Sequence, residues 1–130
     1  MSSIPEDLHY TKEHEWVSGV DDGLTLTVGI TAYAAEALGD VVYVQIIPEV
    51  GSTVTAGDTV GEVESTKSVS DIFTPVSGEI VEVNQTAVDD PSLVGADSYG
   101  EGWLFRIRLE GSADDLLSPE EYAALTSGES

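Results

Sequence analysis

Cysteine is absent from the chain, which removes disulfides, thiolate metal ligands and cysteine nucleophiles in one step. Basic residues are nearly absent as well: four Lys and Arg stand against twenty-five Asp and Glu, a formal charge of −21. So negative a surface repels phosphate backbones, which speaks against nucleic-acid binding, and it disfavours anionic membrane surfaces. No apolar run approaches the length needed to span a bilayer. Met1 to Asp7 carries acid and no Arg, unlike a secretory signal or a transit peptide, so the expected location is the cytoplasm. Most familiar catalytic patterns are missing too. There is no phosphate-binding Gly-rich loop with Lys, no nucleophile elbow and no His pair at metal spacing. His9 and His14, the only histidines, read as surface or packing residues. The adjacent acids Asp89–Asp90 and Asp114–Asp115 lack the spacing of a calcium loop and read as solvated surface. No metal is expected.

What remains is a chain of 130 residues, 41% hydrophobic, which suits one compact domain over residues 1–130 with a core of its own. Its acidity has two readings. One is adaptation to high salt, where carboxylates keep the surface hydrated and dense ions screen their repulsion. The other is steering toward basic partners. The spread of acid along the whole chain favours the first, and a carrier that docks by charge can use both.

The pattern along the chain is rich in strands. Glu15 to Val20 and Leu24 to Val28 flank Asp21-Asp22-Gly23, a hairpin signal. Thr31 is placed to cap a short helix over Ala32 to Leu38, with Gly39 just past its end. Val41 to Ile47, ended by Pro48, is a dense β-branched run that reads as a buried strand. Ala56-Gly57-Asp58-Thr59-Val60 and Ser77-Gly78-Glu79-Ile80-Val81 resemble one another, each Gly suiting a turn into a strand. Lys67 falls midway between them, as at an exposed tip joining two related hairpins. From Trp103 to Leu109 the chain alternates, with Trp103, Phe105, Ile107 and Leu109 expected inward and Arg106 and Arg108 outward. Ser118-Pro119-Glu120-Glu121 combines a cap, a first-turn Pro and a capping-box Glu, opening a helix whose apolar side is Tyr122, Ala123 and Leu125. The fold class expected is mainly β with short helices, including a C-terminal one.

Lys67 is the residue on which chemistry converges. It sits among small hydroxyl residues in Val63-Glu64-Ser65-Thr66-Lys67-Ser68-Val69-Ser70-Asp71, and the only other basic residues are Lys12, Arg106 and Arg108. A Schiff-base lysine needs a desolvating pocket or a neighbouring cation, and a polar turn beside Glu64 offers neither. An attachment point on an exposed turn fits better.

The run Val63-Glu64-Ser65-Thr66-Lys67 followed by Ser70-Asp71 resembles the lipoylation motif of glycine cleavage H-proteins. The resemblance extends in order through His14-Glu15-Trp16-Val17, Val28-Gly29-Ile30-Thr31 with Tyr33-Ala34, Leu38-Gly39-Asp40, Ser77-Gly78-Glu79 with Val83-Asn84, and Gly102-Trp103. It covers about Tyr10 to Leu125. Three positions depart from the family pattern: Gly95 stands where Asn is usual, Ser98 where Pro precedes Tyr, and Thr66 where Val is common. The first two fall in the loop before the last long strand, away from the attachment turn.

The resemblance implies a lipoyl-domain core, a flattened β-barrel or sandwich of hairpins with added short helices. It implies lipoic acid joined to Lys67 by an amide, with Glu64, Ser65, Thr66 and Ser68 forming the attachment turn. It also implies no turnover of its own. The lipoyl arm receives an aminomethyl group through glycine decarboxylase (P-protein), yields it to aminomethyltransferase (T-protein) and is reoxidised by dihydrolipoyl dehydrogenase (L-protein). Lipoate-attaching enzymes are further partners, and neither nucleic acid nor membrane is among them. A loaded arm carries an amine that water would release, so folding it into an acidic cleft would protect it. Glu15 and Asp71 are the candidates for that cleft, against the plainer reading of two more surface carboxylates.

Other readings stay open. Biotin carriers have Met on both sides of the lysine, where this chain has Thr66 and Ser68. Lipoyl domains of oxo-acid dehydrogenases sit in longer chains with flexible linkers. An H-like protein that chiefly relays lipoate to other enzymes would share fold and modification. An unmodified acidic interaction module predicts a harmless Lys67→Arg, and a small hydrolase lacks a convincing nucleophile–base set.

Overall fold

The computed structural model describes residues 8–19, 25–110 and 116–128. The Asp21–Gly23 turn and the Asp114–Asp115 pair lie outside them. Among the described residues the chain forms nine strands and four helices in two sheets, a mainly β architecture. The larger sheet takes β1 (His9–Tyr10), β2 (Glu15–Ser18), β3 (Thr25–Ile30), β9 (Phe105–Leu109), β8 (Gly78–Val83) and β5 (Thr53–Val54) in that spatial order, every pairing antiparallel. The smaller takes β4 (Val41–Ile46), β6 (Thr59–Ser65) and β7 (Val69–Phe73), also antiparallel. Apolar residues alternate along these strands, so each sheet turns one face inward. Val17, Leu26, Val28, Ile80 and Ile107 from the larger sheet and Val44, Val63 and Ile72 from the smaller share one buried core.

The helix α1 (Ala32–Leu38) forms where the caps place it. The Thr31 hydroxyl accepts the Ala34 N–H, and Gly39 closes the other end at φ +89°, a conformation that glycine adopts at no steric cost. The capping box of α4 (Pro119–Gly128) is fully made: the Ser118 N–H donates to Glu121 Oε1 at 2.9 Å, and the Glu121 N–H to Ser118 Oγ at 3.1 Å. α4 docks through Tyr122, whose ring stacks on Tyr10 at 4.6 Å between centroids.

Three expectations need correction. β4 is not buried: Val42 and Tyr43 are 56% and 43% exposed. One face of this sheet meets solvent, and a bulge between Val41 and Tyr43 turns two successive residues outward. Second, Trp103 does not continue the inward row of β9. Leu104 enters the core instead, and Trp103 lies under the Arg106 guanidinium, 4.2 Å from its ring centroid. Third, Lys67 tips a single hairpin, β6–β7, while the strand of the second repeat, β8, belongs to the other sheet. The repeats still touch, since the Ala56 N–H donates to Ser77 Oγ.

Gly57 is a turn glycine at φ +92°, as expected. Gly78 is not; it opens β8 beside β9, and a Cβ there would stand 2.1 Å from the Arg108 carbonyl oxygen. Gly78→Ala must therefore prise the two strands apart. A loss of about 3 kcal/mol in urea unfolding is expected, whereas Gly57→Ala meets no neighbour within 4 Å and carries only its backbone strain, about 1 kcal/mol.

Candidate functional site

The β6–β7 hairpin ends in a turn clasped by one side chain. Ser65 Oγ accepts the Lys67 N–H at 3.1 Å and the Ser68 N–H at 3.0 Å, and the Ser65 N–H donates to the Ser68 carbonyl at 2.8 Å. A further bond fastens the turn from outside, as the Thr66 N–H donates to the Asp40 carbonyl at 3.1 Å. Thr66, Lys67 and Ser68 are all exposed. The aliphatic stem of Lys67 runs across Gly39, where a Cβ would lie 3.1 Å from its Cε. The helix C-cap glycine thus also clears space for the lysine. The tip is ordered and its amine stands at the surface.

Beside it opens a cavity of about 350 Å³ between α1 and the β6–β7 hairpin. Glu15 from β2 and Asp71 from β7 both line it, with His14, Tyr33 and Ser70. The two acids differ in environment. Asp71 is exposed. Glu15 is 1% exposed, so it is no surface carboxylate. Its Oε2 accepts the Phe73 N–H at 2.7 Å, and the Thr11 hydroxyl donates to Oε1 at 3.4 Å. Burial pushes the Glu15 carboxyl up to about 8, outweighing the lowering effect of the Phe73 N–H.

His14 packs rather than stands free, with its ring 4.9 Å from Tyr33 and Nδ1 2.8 Å from the Tyr122 hydroxyl. The same hydroxyl lies 2.7 Å from Thr31 Oγ1. Tyr122 therefore ties α4 to His14 on the cavity lining and to the Thr31 cap of α1. The participation of Thr11 and Tyr122 is not visible in the sequence, which marks Tyr122 only as part of the apolar side of the last helix.

A carrier site needs an accessible amine on a firm turn, with a sheltered space beside it, and these residues meet that need. Among the described residues no group of His, Asp and Glu is arranged to hold a metal, and no helix is long and apolar enough to cross a membrane.

Comparison with known proteins follows the same line. Residues 8–129 match the family model of the glycine cleavage H-protein. A glycine cleavage system H protein of Thermobifida fusca is 62% identical over 127 residues, covering 98% of both chains. One from Streptomyces avermitilis is 62% identical over 120 residues, covering 92% of this chain and 94% of that one. The crystal structure of a glycine cleavage system H protein from Mycobacterium marinum superposes with a TM-score of 0.87 at 50% identity, over 95% of this chain and 99% of that one.

Proposed function

This chain belongs to the glycine cleavage H-protein family, non-enzymatic lipoyl carriers of the glycine cleavage system, and we propose that Lys67 is the lysine that carries its lipoyl group. The observation that supports this most is the clasped tip. Of the two lysines, Lys12 and Lys67, it is Lys67 whose turn is held by Ser65 and by Asp40 and whose neighbour Ser68 lines the cavity. Glu64, Ser65, Thr66 and Ser68 form the attachment turn. When bound, the lipoyl dithiolane supplies the redox-active carrier chemistry.

The residues of the chain supply presentation and shelter. Ser65 fixes the backbone from which the Lys67 side chain departs. The apolar wall of Ile30, Ala34 and Leu38 excludes water from the cavity floor. Glu15 and Asp71 are the counter-charges for a positively charged amine brought into that cavity. Glu15 holds its proton when the cavity is empty of charge and gives it up to solvent when a cation approaches, because an opposite charge favours the ionised carboxyl.

The partners in this reading are glycine decarboxylase, aminomethyltransferase and dihydrolipoyl dehydrogenase, with a lipoate-attaching enzyme upstream. The chain works as one carrier domain in the cytoplasm. Peptide mass spectrometry of protein from lipoate-replete cells tests the attachment: a lipoyl adduct is expected on the peptide holding Lys67. An unmodified Lys67, or an adduct on Lys12, would overturn it.

A further inference from the structure

Helix α1 borders two hollows. One is the cavity toward the β6–β7 hairpin, with Glu15 and Asp71 in its lining. The other, of about 430 Å³, is a groove between α1 and α3 (Ser92–Ala96), a size within the range of small-molecule sites, about 300–1,000 Å³. Its floor is apolar, formed by the buried Ala35 and Val41. A Cβ on Gly95 would meet nothing within 4 Å, so the groove is open above that residue, one of the positions where the chain departs from its family's pattern. Lys67 ends on the rim. A Cβ on Gly39 would lie 3.1 Å from Lys67 Cε and 3.8 Å from Nζ, and Gly39 lines the groove.

We propose that the α1–α3 groove is a second berth for the lipoyl arm, taken by the arm when it carries no amine. The proposal rests on Lys67 being the attachment site. Acylation removes the charge of Nζ, and the alkyl chain and dithiolane beyond it are apolar. Laid over Ala35 and Val41, they withdraw apolar surface from water. The two hollows sort the arm by charge. In the hairpin cavity the Glu15 carboxyl is buried, so it acts on a cation with little screening. A neutral arm entering there would strip water from Glu15, Asp71 and His14 and give them no partner in return. The carboxyls that line the groove, Glu36 and Asp40, are exposed. They keep their water, and salt screens them. Ser68, next to Lys67, lines the cavity, so torsions of the Lys67 side chain alone exchange one berth for the other.

The test compares the complete isotope-labelled chain by NMR in its unlipoylated, oxidised lipoyl and amine-loaded forms. The oxidised arm should shift the backbone amides of Glu36, Ser92, Gly95 and Ala96 and give NOEs from its methylenes to the Ala35 and Ala96 methyl groups. Loading with amine should return these amides to their unlipoylated positions and shift those of Ser70 and Asp71 instead. Gly95→Leu fills the groove from a position with no neighbour to strain. Its oxidised form should lose the NOEs, and a water-soluble phosphine should reduce its dithiolane faster by about twofold or more, the factor expected when a berth holding at least half of the arms is closed. Its amine-loaded form should match wild type at Ser70 and Asp71. Groove amides that stay still on lipoylation would overturn the berth, as would an unchanged reduction rate in natively folded Gly95→Leu protein. Groove shifts that persist in the amine-loaded form would overturn the sorting by charge, and the proposal with it. Wild-type protein whose intact mass shows no lipoyl group fails the attachment reading instead, and the berth falls with it.

Discussion

Lys67→Arg is expected to yield a folded protein that takes no lipoyl group and supports no glycine cleavage above background in a reconstituted system. Arginine keeps the positive charge at the tip, so the electrostatics there are preserved. Its guanidinium stays protonated and forms no amide under these conditions. Stability should hardly move, by about 0.5 kcal/mol or less, because the side chain is exposed and the clasp uses its backbone N–H. Lys12→Arg should leave modification and turnover of the system unchanged. Intact-mass analysis with a coupled NADH assay reads both outcomes, and lipoylated Lys67→Arg protein would refute the assignment. The harmless substitution required by an unmodified interaction module is the opposite result, so one variant separates the two readings.

Glu15→Gln should remove most of a pH dependence from the stability of the fold. In the folded chain the Glu15 carboxyl titrates near 8, against 4.5 for the ordinary group. The neutral form is therefore the one that folding favours. Its contribution is fully present below the ordinary value, is lost as pH rises through about 8, and stays lost above. Glutamine is neutral throughout, and its side-chain oxygen can still accept the Phe73 N–H. Urea unfolding near pH 5 should find the two proteins close, and near pH 9 the variant should be the more stable, by on the order of a few kcal/mol. Curves that run parallel across this range would contradict the raised titration. The variant should also release an amine cargo from the loaded arm faster, because its neutral amide cannot become a counter-charge.

Much of this was legible in the sequence because local chemistry and global fold agree there. Thr31 and Ser118 bear cap side chains in front of apolar periodicity, and both helices start where they indicate. The tip was legible because Lys67 stands among hydroxyls in a chain that keeps only three other Lys and Arg residues. α2 (Gln85–Asp89) and α3 (Ser92–Ala96) gave no such sign. Asn84, ahead of α2, makes no capping bond and spends its amide on the carbonyls of Glu101 and Trp103 instead. Pro91 has no side-chain donor or acceptor to offer α3. The exposure of β4 was hidden because β-branched residues suit either face of a sheet, and only pairing partners reveal which one is covered. The depth of Glu15 was hidden for a related reason. Its wall is assembled from Thr11 and Phe73, and the partner at Phe73 is 58 residues away.

The clasp at the hairpin tip bears on how a tethered cargo finds its target. Where a carrier turn is loose, backbone wandering adds to the reach of whatever hangs from it, and the search is spread over a large volume. Here Ser65 and Asp40 hold the turn at four backbone amide and carbonyl groups, so the pivot is stationary. All freedom then lies in the torsions of one side chain and its tether. The cargo sweeps a bounded shell about a fixed centre, and the local concentration it presents to a docked active site is set by where that centre is planted.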